Sequence, residues 1–281
     1  MTNLTEAGSA APGGKIGRPT SGSDGSISID HLAKTYERPK QEAVQALLPV
    51  DLSITSGEFI SLVGPSGCGK TTLLMMIGGL LDATEGHVSV AGEPARAAHP
   101  AVSIAFQKST LLRWRTVMDN VLLPAQIAGS LNAETKKYAR DLLEMIGLSQ
   151  FENRYPHELS GGMQQRAAIV RSLIMKPSVL LMDEPFAALD EFTREMLNDE
   201  LLRIWQEKST TIVFVTHHIP EAVYLADRVA VMAARPGRLL EMVDVDLPRP
   251  RHEDMRQSPR FNELVGTIRA VLHPEVNGAA E

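Results

Sequence analysis

The chain is 281 residues long and 43% hydrophobic, with a formal net charge of −6, which is enough apolar material for one large domain or two modest ones with a proper core. Charge of mixed sign and an acidic balance argue against nucleic acid as a main partner, since duplex binding leans on concentrated Lys and Arg. They leave room for a nucleotide ligand, which needs only a local site.

The single Cys68 excludes an internal disulfide and a cysteine-based metal cluster, and points to a reducing compartment. No apolar run approaches the roughly 18 to 20 residues that span a bilayer. The opening "MTNLTEAGSAAPGGKIGRPTSGSDGS" has no basic start followed by an apolar block, so it does not read as a secretory signal. Its Gly, Ser, Pro and Thr content predicts a flexible tail over residues 1–25. The expectation is a soluble, cytoplasmic protein whose membrane role comes through a partner.

Past the tail, "SISIDHLAKTY" alternates apolar and polar residues, the period of a half-buried strand. The runs "FISLVG", "VSIAF", "SVLLMD" and "TIVFVT" are short, rich in branched residues and separated by helical or turn-rich segments. They predict strands covered on both faces, hence an α/β fold with a mainly parallel sheet and helices outside. From Lys108 the periodicity turns helical, with Asn132 as a cap and Gly147 as a stop around "AETKKYARDLLEMI", predicting a helical insertion over about 108–175. A further helix from Leu189 to Lys208 places Leu197, Leu201, Ile204 and Trp205 on one face, a core-packing stripe. After Arg235 the chain turns through "RPGR" into a last strand. The Pro- and Arg-rich "LPRPRHEDMRQSPRF" then reads as solvated, with a binding patch as the alternative, within a C-terminal extension over 236–281.

"GPSGCGKTT" (Gly64, Pro65, Ser66, Gly67, Cys68, Gly69, Lys70, Thr71 and Thr72) follows the strand "FISLV" and precedes "LLMMIGGL", the context a phosphate-binding loop requires. Its glycines let successive N–H groups face an anion, and the next helix adds its positive end. Lys70 would reach the β and γ phosphates, and the Thr71 hydroxyl would hold Mg2+. "VLLMDEP" is a buried strand ending in two carboxylates; Asp183 is assigned to the metal and Glu184 to the attacking water. His217, first after the strand of "FVTHHIPEA", is a candidate γ-phosphate sensor, at the strand end where ligands of a parallel sheet gather. "LSGGMQQR" offers a second phosphate-binding element, with Ser160, Gly161 and Gly162 opening a helix whose Met163, Ala167, Val170 and Ile174 form an apolar stripe. A capping serine accounts for Ser160. It does not account for two glycines, which weaken a helix unless backbone must approach something closely.

In order and spacing, the phosphate loop, "LSGGMQQR", "LMDEP", "AALD" and "VTH" resemble the ATP-binding subunits of ABC transporters, over about residues 26–235. The resemblance implies a P-loop NTPase core with an antiparallel β subdomain and a helical insertion. It implies Tyr36 against adenine, Gln107 meeting Mg2+ and the attacking water, and Asp190 in a loop that crosses between subunits. It also implies that Ser160, Gly161 and Gly162 meet the ATP held by a second copy, arranged head to tail. Trp114 and Arg115, in "KSTLLRWRTVMDNVLLP", would dock membrane permease subunits, although Trp114 is as readily an anchor of its own loop. His218 stands where many relatives have Asp.

The segments "LLRWRTVMDNVLLP", "FAALDEFTREMLNDELLRIW" and "ADRVAVMAARPGRLLE" look like the nitrate, sulfonate and taurine importer group, and similar sequences also serve importers of pyrimidine vitamin precursors, so the solute stays open. That likeness implies an ATPase on the cytoplasmic face of the inner membrane, served indirectly by a periplasmic solute-binding protein. Three other readings compete. A soluble ABC ATPase of DNA repair or translation is opposed by a single cassette with a short insertion; an exporter subunit is disfavoured by "RPGR"; and Glu184 opposes a non-hydrolysing sensor.

Overall fold

The computed structural model describes residues 25–37, 42–187 and 189–277; apart from Gly25, the expected tail lies outside them. In chain order the elements begin with β1 (Ile27–Tyr36), β2 (Val44–Ile54), β3 (Phe59–Val63), α1 (Lys70–Ile77), β4 (Glu85–Val90), β5 (Glu93–Pro94) and β6 (Val102–Ala105). Then come α2 (Val117–Val121), α3 (Leu123–Ile127), α4 (Ala133–Met145), α5 (Gly161–Leu173), β7 (Val179–Asp183) and α6 (Glu191–Lys208). The last are β8 (Thr211–Thr216), α7 (Ile219–Leu225), β9 (Arg228–Ala233), β10 (Arg238–Asp244) and α8 (Pro259–Asn277).

A six-stranded sheet runs β10-β9-β3-β8-β7-β6, parallel except for β10 against β9. A four-stranded antiparallel sheet, β2-β1-β4-β5, packs beside it. The expected α/β core, antiparallel subdomain included, is therefore present. Alternation along the central strands divides the interior in two. Phe59, Ile212, Phe214, Leu180 and Met182 face a core built with α5, α6, α7 and α8. Ile60, Leu62, Val213, Val215 and Leu181 face α1 and the antiparallel sheet. Both faces are covered, so these strands read as continuous apolar runs.

Four strands fall outside the runs picked from the sequence. β2 carries Pro49 and a mixed pattern, β4 is half exposed, β5 is two residues long, and β9 lies in "RVAVMA" directly beside β3. The alternation of β1 is broken by register shifts between Ile29 and Leu32, where His31 has φ 50°. In the helical stretch, Asn132 caps α4 by accepting from the Thr135 N–H at 2.8 Å, and Gly147 follows at φ 69°. The α6 stripe is buried or half-buried, and the Trp205 indole N–H donates to Gly57 O at 3.0 Å.

The C-terminal segment departs from expectation. "LPRPRHEDMRQSPRF" is not solvated throughout: Leu247, Arg251 and Phe261 are buried, and α8 buries Leu264, Val265, Ile268 and Leu272 against the same core. Net charge along a segment does not report the apolar spacing of the helix that follows it, and it was the charge that suggested solvation. Among the described residues no helix is long and apolar enough to cross a membrane.

Candidate functional site

The carboxyl ends of four parallel strands meet at one edge of the sheet, the place where such folds bind ligands. Val63 lies opposite Thr216 and Asp183 opposite Val215, so the loop after β3, the acids after β7 and the histidine after β8 are neighbours. Ala105 lies opposite Met182, which carries Gln107, exposed on the loop after β6, to the level of Glu184.

The phosphate loop wraps from β3 into α1. A Cβ on Gly64 would stand 2.3 Å from Met232 O and 2.8 Å from Cys68 Sγ, so only glycine lets β3 pass β9 there. Gly67 and Gly69 have φ of 79° and 88°, and a Cβ on Gly67 would meet nothing within 4 Å, which leaves the mouth of the loop open. Ser66 and Gly67 are exposed, Pro65 and Thr72 half-buried, and Cys68 fully buried, its thiol pKa raised by burial. No side chain caps α1 and no acid lies in its first turn. Its first N–H groups thus keep the donor capacity that an anion needs. The Lys70 ammonium donates to Gly64 O at 2.7 Å and Pro65 O at 3.1 Å, spanning the loop from inside.

The Thr71 hydroxyl donates to Asp183 Oδ1 at 2.9 Å. Burial is the largest influence on Asp183 and raises its pKa; Glu184 pushes the same way, while Thr71 and Lys70 oppose it. Hydroxyl and carboxylate oxygens are hard donors, and Mg2+ takes one or two such protein ligands beside phosphate oxygens and water. The pair fits that ion. Glu184 breaks from the strand at φ 44°, a conformation costing roughly 1–2 kcal/mol for a non-glycine residue. Its N–H still bonds Val215 O at 3.0 Å, and its carboxylate meets His217 Nδ1 at 3.0 Å. A carboxylate only accepts, so Nδ1 carries the hydrogen and Nε2 is left as the free ring nitrogen. Strand patterns pick out Glu184 and His217 separately; their contact depends on the register of β7 against β8.

The remaining candidates stand apart. Tyr36 ends β1, 40% exposed, with the Lys34 ammonium 5.2 Å from its ring centre. Ser160 caps α5, accepting from the Met163 N–H at 3.3 Å. A Cβ on Gly161 would meet nothing within 4 Å, whereas one on Gly162 would stand 2.9 Å from Leu189 Cδ2. Half of the glycine pair is thus explained within the chain. Asp190 caps α6 through the Thr193 N–H at 2.9 Å, and that bond lowers its pKa. Arg194 braces the loop before it, donating to Leu189 O at 2.9 Å.

Several working residues escape sequence reasoning. Buried Asn120 accepts from the Leu112 N–H at 2.7 Å and donates to Leu112 O, Arg115 O and Thr116 O, so it holds the loop that leads to Trp114. Trp114 is 74% exposed, so most of its ring is turned to solvent. Gln165 and Arg171 tie α5 to the loop after β6, through Phe106 O at 2.9 Å and Ser109 O at 3.0 Å. Both lie on the helix that "LSGGMQQR" begins, and no local signal marks their partners.

Fold and loop together define a phosphate-loop nucleotide-binding ATPase. The ABC transporter family model matches residues 47–187. The chain is 46% identical over 250 residues to an uncharacterized ABC transporter ATP-binding protein of Methanocaldococcus jannaschii, covering 89% of this chain and 92% of that one. It is 39% identical over 252 residues to a taurine import ATP-binding protein of Rhizobium johnstonii, covering 88% and 96%. A solved dimer of an ATP-binding cassette in a post-hydrolysis state, bound to ADP and Pi, matches with TM-score 0.71 at 32% identity, covering 79% of this chain and all of that one. The chain belongs to the ABC transporter family, as its ATP-binding, ATP-hydrolysing subunit.

Proposed function

We propose that this ATPase energises an ABC importer of a small solute such as taurine, another sulfonate or nitrate. It works as a head-to-tail pair on the cytoplasmic face of the inner membrane, beneath permease subunits fed by a periplasmic solute-binding protein. The importing relative and the dimeric cassette support this reading. The observation that carries the hydrolytic part is the Glu184–His217 contact at 3.0 Å, beside the Thr71–Asp183 bond at 2.9 Å.

Each role follows from position. The loop N–H groups and Lys70 bind the phosphates, and Tyr36 offers its exposed ring to adenine. Thr71 and Asp183, with Gln107, hold Mg2+, which when bound neutralises phosphate charge. Glu184 orients a water and takes its proton, while His217, held through its Nδ1 contact with Glu184, serves as the γ-phosphate sensor. Ser160 and Gly161, exposed at the start of α5, face the nucleotide of the second copy, and Asp190 lies on the loop between copies. Exposed Trp114 suits docking of a permease segment.

Glu184→Gln tests the assignment. Turnover should fall by at least about a hundredfold, as loss of a general base does, with ATP still bound and the dimer accumulating on size-exclusion chromatography. Undiminished turnover would remove Glu184 from its role.

A further inference from the structure

The Pro- and Arg-rich stretch is the part of the sequence that ATP chemistry leaves unused, and the structure lays it over α7, the helix that begins two residues after His217. Arg251, 7% exposed, donates through Nη1 to Val223 O at 3.0 Å and Tyr224 O at 2.7 Å. Arg249 donates to Leu225 O at 2.9 Å and pairs with Asp227 Oδ1 at 2.7 Å. The last carbonyls of a helix lack partners within it, and the helix field there favours cations. Here three successive carbonyls are filled by two guanidinium groups. Burial lowers Arg251 to about 10, so it is still a cation at neutral pH.

The clamp reaches the site from two directions. Asp227 Oδ2 accepts from the Phe59 N–H at 2.9 Å, at the start of the strand that runs into the phosphate loop. At the other end of α7, the Thr216 hydroxyl donates to the Glu221 carboxylate and accepts from the His218 N–H at 3.0 Å, with His217 between them in sequence. No side chain caps α7 at His218. Seven residues form too short a helix to hold its own place; tertiary contacts set it, the buried side chains of its body as well as the bonds at its ends.

We propose that Arg249 and Arg251 are positioning residues for hydrolysis: they fix α7, and through it the His217–Glu184 contact, making the C-terminal segment a working part of the ATPase site. This rests on the roles proposed above for Glu184 and His217.

The test compares Arg251→Gln, Arg251→Lys and the exposed control Arg260→Ala in the full chain, at a temperature where circular dichroism shows each folded. Arg251→Gln should lower kcat on the order of tenfold or more, as small misplacements of catalytic groups do. Its KM for ATP should stay within about twofold, because the loop N–H groups, Lys70 and Tyr36, which carry most of the proposed ATP contacts, are left in place. Arg251→Lys, which keeps the charge, should recover part of the loss, and Arg260→Ala should behave as the parent. A lowered Tm with full kcat, or a raised KM with unchanged kcat, overturns the proposal in favour of a purely structural clamp. If the Gln variant does not fold, the Lys variant decides alone: reduced kcat supports positioning and full kcat refutes it. Inactive Glu184→Gln beside fully active Arg251→Gln would sink positioning only; active Glu184→Gln would sink the catalytic assignment itself.

Discussion

Replacing each glycine of "LSGGMQQR" with alanine separates folding from function. Both begin α5, where alanine is favoured over glycine by up to about 1 kcal/mol in a helix interior and by less in the first turn. At Gly161 the new Cβ meets nothing within 4 Å, so that gain, roughly 0.5 kcal/mol, should survive as a Tm increase of about 1–2 °C for a chain of this size. At Gly162 the Cβ would stand 2.9 Å from Leu189 Cδ2, and Leu189 is buried. Turning that leucine off its rotamer costs about 0.5–1.5 kcal/mol, which cancels or reverses the gain. Turnover is then measured at saturating ATP and Mg2+, with ATP affinity taken separately. Gly161→Ala should be the more stable protein and yet lose most of its turnover with ATP binding intact, if its open face takes the nucleotide of the second copy as proposed. A stabilised Gly161→Ala with full turnover would refute that reasoning.

Three further outcomes follow from particular contacts. Asn120→Ala should cost roughly 2–4 kcal/mol in urea unfolding, since it strands the Leu112 N–H and the Arg115 carbonyl, while Leu112 O and Thr116 O keep their backbone partners; a loss under about 1 kcal/mol would show that the loop is held otherwise. Asp183 has a raised folded pKa, so the folded state binds the extra proton. Its contribution to stability therefore falls as pH rises from the ordinary carboxylate value through the raised one. Asp183→Asn should be inactive but more stable than the parent at neutral pH, with the advantage fading in acid; equal stability at both pH values would contradict the sign. Ser160→Trp should leave ATP binding intact and stop hydrolysis, as read by fluorescent-nucleotide titration and phosphate release, and full hydrolysis would argue against a shared site.

How much was legible depended on whether a residue's role is set by neighbours in sequence or by neighbours in space. The phosphate loop was readable because strand, glycines and helix are contiguous, and the Asn132 cap because its partner is three residues away. The two acids of "LMDEP" could be placed at a strand end, but the contact of Glu184 with His217 needed the pairing of β7 with β8. Asn120, Gln165 and Arg171 bond backbone groups of loops that have no pattern of their own.

The arginines of "LPRPR" show the limit most sharply, and for a physical reason. Guanidinium groups are read as solvated because burying an unpaired charge is costly. Backbone carbonyls at a helix end remove much of that cost, and such acceptors leave no trace in side-chain composition. Trp205 makes the same point from the other side, since the stripe on α6 predicts its burial but not that Arg249 stacks 4.1 Å from its ring centre. A short helix just after a strand that ends at the proposed site can therefore be finished by cations from far along the chain, and here they come from about 25 residues downstream, in the segment whose composition reads as solvated.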